Sequence, residues 1–158
     1  MEILEIFTNQ YLLVPVFAWL IAQVVKTIIN LIVNKEFDPS RLFGDGGMPS
    51  GHSATVTALA CVCGFSSGFN SVEFAIAGVL AVIVMHDATG VRRETGKQAK
   101  AIFAIVNVIN EYVTEKDRDL KAGKLKVMVG HTPLQVVCGA ILGFVVALVS
   151  HYLIPLIF

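Results

Sequence analysis

The chain has 158 residues, 55% of them hydrophobic and 15% charged, with a mean hydropathy of +0.72. Soluble domains carry about 25% charged residues, so a soluble globular fold is disfavoured, and so much apolar sequence also argues against disorder. Its 12 Lys and Arg balance 12 Asp and Glu, which leaves no case for bulk electrostatic capture of nucleic acid.

A bilayer core of about 30 Å needs roughly 20 apolar residues in helix, and the chain offers several such runs in order. The first, about Tyr11 to Val33, is interrupted by Gln23, Lys26, Thr27 and Asn30. Residues 1 to 10 before it suit a segment lying along the interface, and the acidic Glu2 and Glu5 argue against a cleaved signal peptide. A second run, about Pro49 to Phe65, is rich in small residues, and a third, about Val72 to Val91, carries His86 and Asp87 near its end. From about Ala99 to Val113, apolar residues recur at Ile102, Val106, Ile109 and Val113, the spacing of a surface helix. The last run covers about Thr132 to Tyr152. Cys61, Cys63 and Cys138 lie within apolar runs and read as packing residues. The expectation is an all-α integral membrane bundle of about four spans plus a cytoplasmic surface helix. It forms one domain over residues 1–158, with the surface helix and a loop inserted at about 94–129.

Loop charge sets the orientation. Lys35 and Arg41 fall in the first inter-span loop, and nine more basic residues lie between Arg92 and Lys126. Eleven of the 12 basic residues thus share one side of the membrane, which the positive-inside rule makes cytoplasmic. The twelfth is Lys26, inside the first span about two turns from that side. A Lys at the bilayer centre costs about 2.5–3.5 kcal/mol, so it either marks a site or snorkels to the interface.

Three constellations gather at the same side. Gly46-Gly47-Met48-Pro49-Ser50-Gly51-His52 runs a glycine-rich turn into a helix start, where Ser50 caps and backbone N–H groups face an anion. His52 beside it can carry a proton near neutral pH. Asp87 to Arg93 closes the third span; Arg92 and Arg93 offer planar forks matched to phosphate oxygens, and Asp87 can hold one of them. The pair also suits a stop-transfer anchor. Gly130-His131-Thr132-Pro133-Leu134-Gln135 starts another helix, and Gln135, one turn after His131, can accept a hydrogen bond from its imidazole. Two histidines, three cations and two glycine-bearing helix starts on one face suit phosphoryl transfer.

At these residues the chain resembles a divergent branch of the type 2 phosphatidic acid phosphatase superfamily, to which vanadium haloperoxidases and bacterial acid phosphatases are related. The likeness runs over Gly46 to Ala54, Asp87 to Ala99, and Gly130 to Gly143. It implies that His131 is the nucleophile, that His52 is the acid/base, and that Ser50 and Gly51 contact phosphate. Lys26 then matches the superfamily lysine, Arg92 and Arg93 substitute for an arginine whose usual place is taken by Leu125, and Arg41 supports them. The superfamily Arg-Pro pair is absent, and Gln135 stands where an aspartate would orient the nucleophile.

The resemblance implies a metal-independent, cofactor-free phosphatase of the cell membrane, acting on a lipid phosphate or isoprenoid (pyro)phosphate through a phosphohistidine at the cytoplasmic face. The alternative is a protein that binds lipid phosphate, or assists membrane assembly, without turnover. Small-residue faces at Gly51, Ser53, Ala54 and Ala58, and at Gly139, Ala140 and Gly143, suggest a homodimer.

Overall fold

The computed structural model describes residues 2–35, 46–112 and 130–157. Every regular element in them is helical. A short 3₁₀ helix, Glu2–Thr8, precedes α1 (Gln10–Asn34), α2 (Gly51–Ser67), α3 (Val72–Thr89), α4 (Val91–Tyr112) and α5 (Pro133–Ile157). Among the described residues, three stretches are long and apolar enough to cross a membrane: Gln10–Asn34, Val72–Ile109 and Pro133–Leu153. The 17 residues of α2 reach the lower limit for a span, which its central position compensates.

Local chemistry sets the helix ends. The Asn9 side chain accepts from the Tyr11 N–H at 2.9 Å and opens α1, which closes on Lys35 in the left-handed region at φ 55°. Ser50 and Ser71 cap α2 and α3 by accepting from Ser53 and Phe74. At α5, Thr132 and Gln135 form a reciprocal capping box. The Gln135 N–H donates to Thr132 Oγ1 at 3.4 Å, and the Thr132 N–H donates to Gln135 Oε1 at 2.9 Å. Pro133 takes the first helical position, where its missing N–H costs nothing.

The helix expected from Ala99 begins earlier, at Val91, one residue after α3 ends. Gly90 is the joint: its N–H donates to the His86 carbonyl at 2.8 Å and caps α3, and its own carbonyl accepts from Glu94 at 3.0 Å and opens α4. The stretch Val72–Ile109, α3 and α4 joined at Gly90, has 38 residues, about 57 Å if it were one straight helix, nearly twice the bilayer core. Only part of it crosses, and the basic residues after Gly90 mark where it leaves.

α2 stands at the centre, packed on α1, α3 and α5. Val14, Ala18 and Ala22 of α1 meet Ala54, Ala58 and Val62 of α2 and Ala147 of α5 in one cluster, while Ala60 and Cys63 face Ala77 of α3 in another. Small residues let the backbones approach. A Cβ on Gly139 would overlap the Ser50 carbonyl oxygen, and one on Gly143 the Ala54 carbonyl oxygen. These glycines, four apart on α5, clamp it to α2. The small-residue faces that suggested a homodimer therefore pack within the chain.

Candidate active site

The ends of α1 and α3 and the starts of α2 and α5 come together at one end of the bundle. The Ser50 N–H donates to the Gln135 carbonyl of α5 at 3.0 Å, and the His131 N–H donates to the Ala88 carbonyl of α3 at 3.0 Å. Two backbone bonds thus lock three helix ends in register. Residues far apart along the chain are fixed there by main-chain geometry, to which side-chain identity adds the chemistry.

Ser50 and Ser53 are fully buried at the first turn of α2, with Ser53 Oγ donating to Ser50 Oγ at 2.9 Å. Gly51 lies against Trp19 of α1, whose Cδ1 would be 3.2 Å from a Cβ at this position. Gly47 adopts φ +99°, a conformation open chiefly to glycine, and a Cβ there would come within 3.2 Å of the Lys26 stem. The turn therefore wraps the lysine.

Lys26 continues the stripe of Val14, Ala18 and Ala22, spaced four residues apart, so the same helix face that builds the core carries the cation inward. It is 4% exposed, and its Nζ donates to Gln23 Oε1 at 2.8 Å. Burial of this kind is incompatible with snorkelling. Gln23, itself buried, is a site residue that sequence reasoning treated only as an interruption. The available signal was its spacing, three residues before Lys26 and thus on the same face.

His131 follows Gly130 at φ +94° and is 3% exposed. Its Nδ1 lies 3.3 Å from Gln135 Oε1, as the four-residue spacing suggested. The same oxygen accepts from the Thr132 N–H, which fixes it as oxygen rather than amide nitrogen. It can only accept, so Nδ1 carries a proton, and in the neutral imidazole the lone pair sits on Nε2. Half-buried His52, in the first turn of α2, approaches edge-to-face with ring centroids 6.2 Å apart and planes at 60°. Histidines 79 positions apart in sequence are thus within reach of one phosphate-sized group.

The other expected residues are distributed more widely. Asp87 is half-buried in the last turn of α3, and Arg93 is exposed on the first turn of α4. The Arg92 side chain and Arg41 lie outside the described residues, and with them an Asp87–Arg92 pairing. A separate cavity of about 820 Å³ surrounds the start of α1 at the other end of the bundle. Phe7, Leu13, Val14 and Phe17 contribute to its walls.

A helical, multi-pass membrane protein with a histidine pair at converging helix ends is the class that fold and site define. Residues 7–146 match the Divergent PAP2 family, and the chain belongs to that family. It is also 41% identical over 155 residues to the uncharacterized membrane protein YuiD of Bacillus subtilis (strain 168), an alignment covering 94% of this chain and 98% of that relative. No solved structure matches the chain.

Proposed function

We propose that the protein is a membrane phosphatase that hydrolyses a lipid phosphate or isoprenoid (pyro)phosphate. The observation that carries this reading is the edge-to-face meeting of His52 and His131 at 6.2 Å, at the end of the bundle that also holds buried Lys26. His131 Nε2 attacks phosphorus, forming a P–N bond as the P–O bond to the lipid breaks. Protonated His52 gives its proton to the departing oxygen, an alkoxide from a lipid monophosphate or the bridging phosphate oxygen from a pyrophosphate. Water then attacks the phosphohistidine, His52 takes its proton, and inorganic phosphate leaves as His131 is restored. Lys26, Arg92, Arg93 and the backbone N–H groups after Ser50 balance the charge on the phosphoryl oxygens, with Arg41 and Asp87 in support.

We place the pocket at the cytoplasmic leaflet of the cell membrane, on the side carrying eleven of the 12 basic residues. The test is phosphate release by purified protein from phosphatidic acid and from an isoprenoid pyrophosphate. His131→Ala abolishes release, and His52→Ala lowers it by about 10²–10⁴-fold while substrate still binds. Release that survives His131→Ala contradicts the reading. Gln135 favours the second reading, since an amide stabilises an imidazolium less than a carboxylate does. Wild-type protein that binds both lipids without releasing phosphate would identify a lipid-phosphate-binding protein.

A further inference from the structure

Outside the histidine site, the most prominent uncovered surface is one side of α4. Its 22 residues pack, among the described elements, only on α3. Helical spacing gathers Ile102, Ile105 and Ile109 on one side, where they are 46%, 58% and 39% exposed. Arg93, Lys97 and Lys100, spaced by four and three residues, share the opposite side and are exposed as well. Lys97 donates to Glu94 at 2.6 Å, in a pair with both side chains largely open to solvent. Three cations against one carboxylate leave this side net positive.

We propose that α4 lies in the membrane interface, its isoleucines at the acyl boundary and its basic side in a layer of anionic lipid headgroups. Two observations favour a lipid surface over another occupant. The first is position: α4 begins one residue after α3, joined through Gly90, which bonds to His86 of α3 and to Glu94 of α4, so its first turn stands where a membrane span ends. At that junction Gly90 has φ −96° and ψ −93°, well away from helical values, so the axis turns there. The second is charge. An apolar stripe opposed by lysine and arginine is the composition that holds a helix on an anionic bilayer, whereas an apolar contact with a second protein copy gives the cations no role. This contact requires no turnover at the histidines.

The full chain, with Cys61, Cys63 and Cys138 changed to alanine, can carry a nitroxide on a single cysteine replacing Ile102, Ala104, Ile105, Asn107 or Ile109. It is reconstituted in vesicles of phosphatidylcholine and phosphatidylglycerol in equal parts. Labels at 102, 105 and 109 collide preferentially with oxygen, which dissolves in lipid, and labels at 104 and 107 with a water-soluble nickel chelate. Omitting phosphatidylglycerol, or combining Lys97→Gln and Lys100→Gln, which leaves Arg93 in place, weakens the docked state by roughly fivefold per cation. Nickel access at every position would overturn the proposal by placing α4 in water. Low access to both reagents at the isoleucines would overturn it in favour of a second protein copy. Should the cysteine-free chain fail to fold, Trp19→Phe with Ile105→Trp keeps the native cysteines. Brominated phosphatidylcholine should then quench the new indole, and an unquenched indole rejects the contact.

Discussion

Gln135 does two jobs with one oxygen: it closes the capping box of α5 and holds the Nδ1 side of His131. Gln135→Leu removes both partners, so α5 loses about 1 kcal/mol of cap stabilisation and turnover falls as the imidazole loses its fixed tautomer. Thermal denaturation and phosphate release report the two effects separately. Gln135→Glu keeps the acceptor and adds a charge that favours the imidazolium. The nucleophile is then deprotonated only at higher pH, so the acid limb of the pH–rate profile moves upward, whereas a purely structural Gln135 would leave that limb in place. Lys26 makes the complementary case. Lys26→Met keeps much of the buried stem and deletes the charge, at a cost of about 1.5–3 kcal/mol if one charge-assisted bond to phosphate is lost, or roughly tenfold to a hundredfold in affinity. The chain has a single tryptophan, Trp19, beside Gly51. Its emission is expected to change saturably with vanadate as a phosphate mimic, at higher concentrations in Lys26→Met.

At the scale of elements, the α2–α5 contact holds the two histidine-bearing helix starts together. Gly143→Ala drives a Cβ into the Ala54 carbonyl oxygen, and overpacking of this kind costs about 1–3 kcal/mol. A lowered melting temperature in detergent is the expected reading. Gly78→Ala, where an added Cβ meets nothing within 4 Å, leaves it unchanged or raises it slightly, because alanine is the better helix former. The spans were legible because apolar runs of bilayer length have few other uses. The start of α4 was not: residues 92–98 are polar apart from one glycine, so no apolar period announces a helix there. What opens it is the Glu94 N–H bond to the Gly90 carbonyl, which leaves no trace in side-chain pattern. The same limit hid Gln23, whose role depends on a Lys26 that turns inward, and Gly47, whose role depends on what lies opposite it.

For the whole molecule, four helices carrying separate parts of one site make orientation a functional quantity. A cysteine replacing exposed Glu94, on a cysteine-free background, is expected to react with an impermeant maleimide from the cytoplasmic side alone. Labelling from outside would move the pocket to the other leaflet and change the accessible substrates. The paired histidines were legible as separate helix starts, each with a glycine before it, because sequence fixes which residues open a helix. Their meeting was not, because it depends on the bonds from Ser50 to Gln135 and from His131 to Ala88, which only tertiary packing sets. The most direct test is quenching of the purified protein in alkaline detergent during turnover of a ³²P-labelled lipid phosphate, followed by mapping of the retained label. The expected result is phosphate on the peptide containing His131, lost in acid, stable in alkali and missing from His131→Ala. Phosphate release at full rate with no label on that peptide would contradict the mechanism.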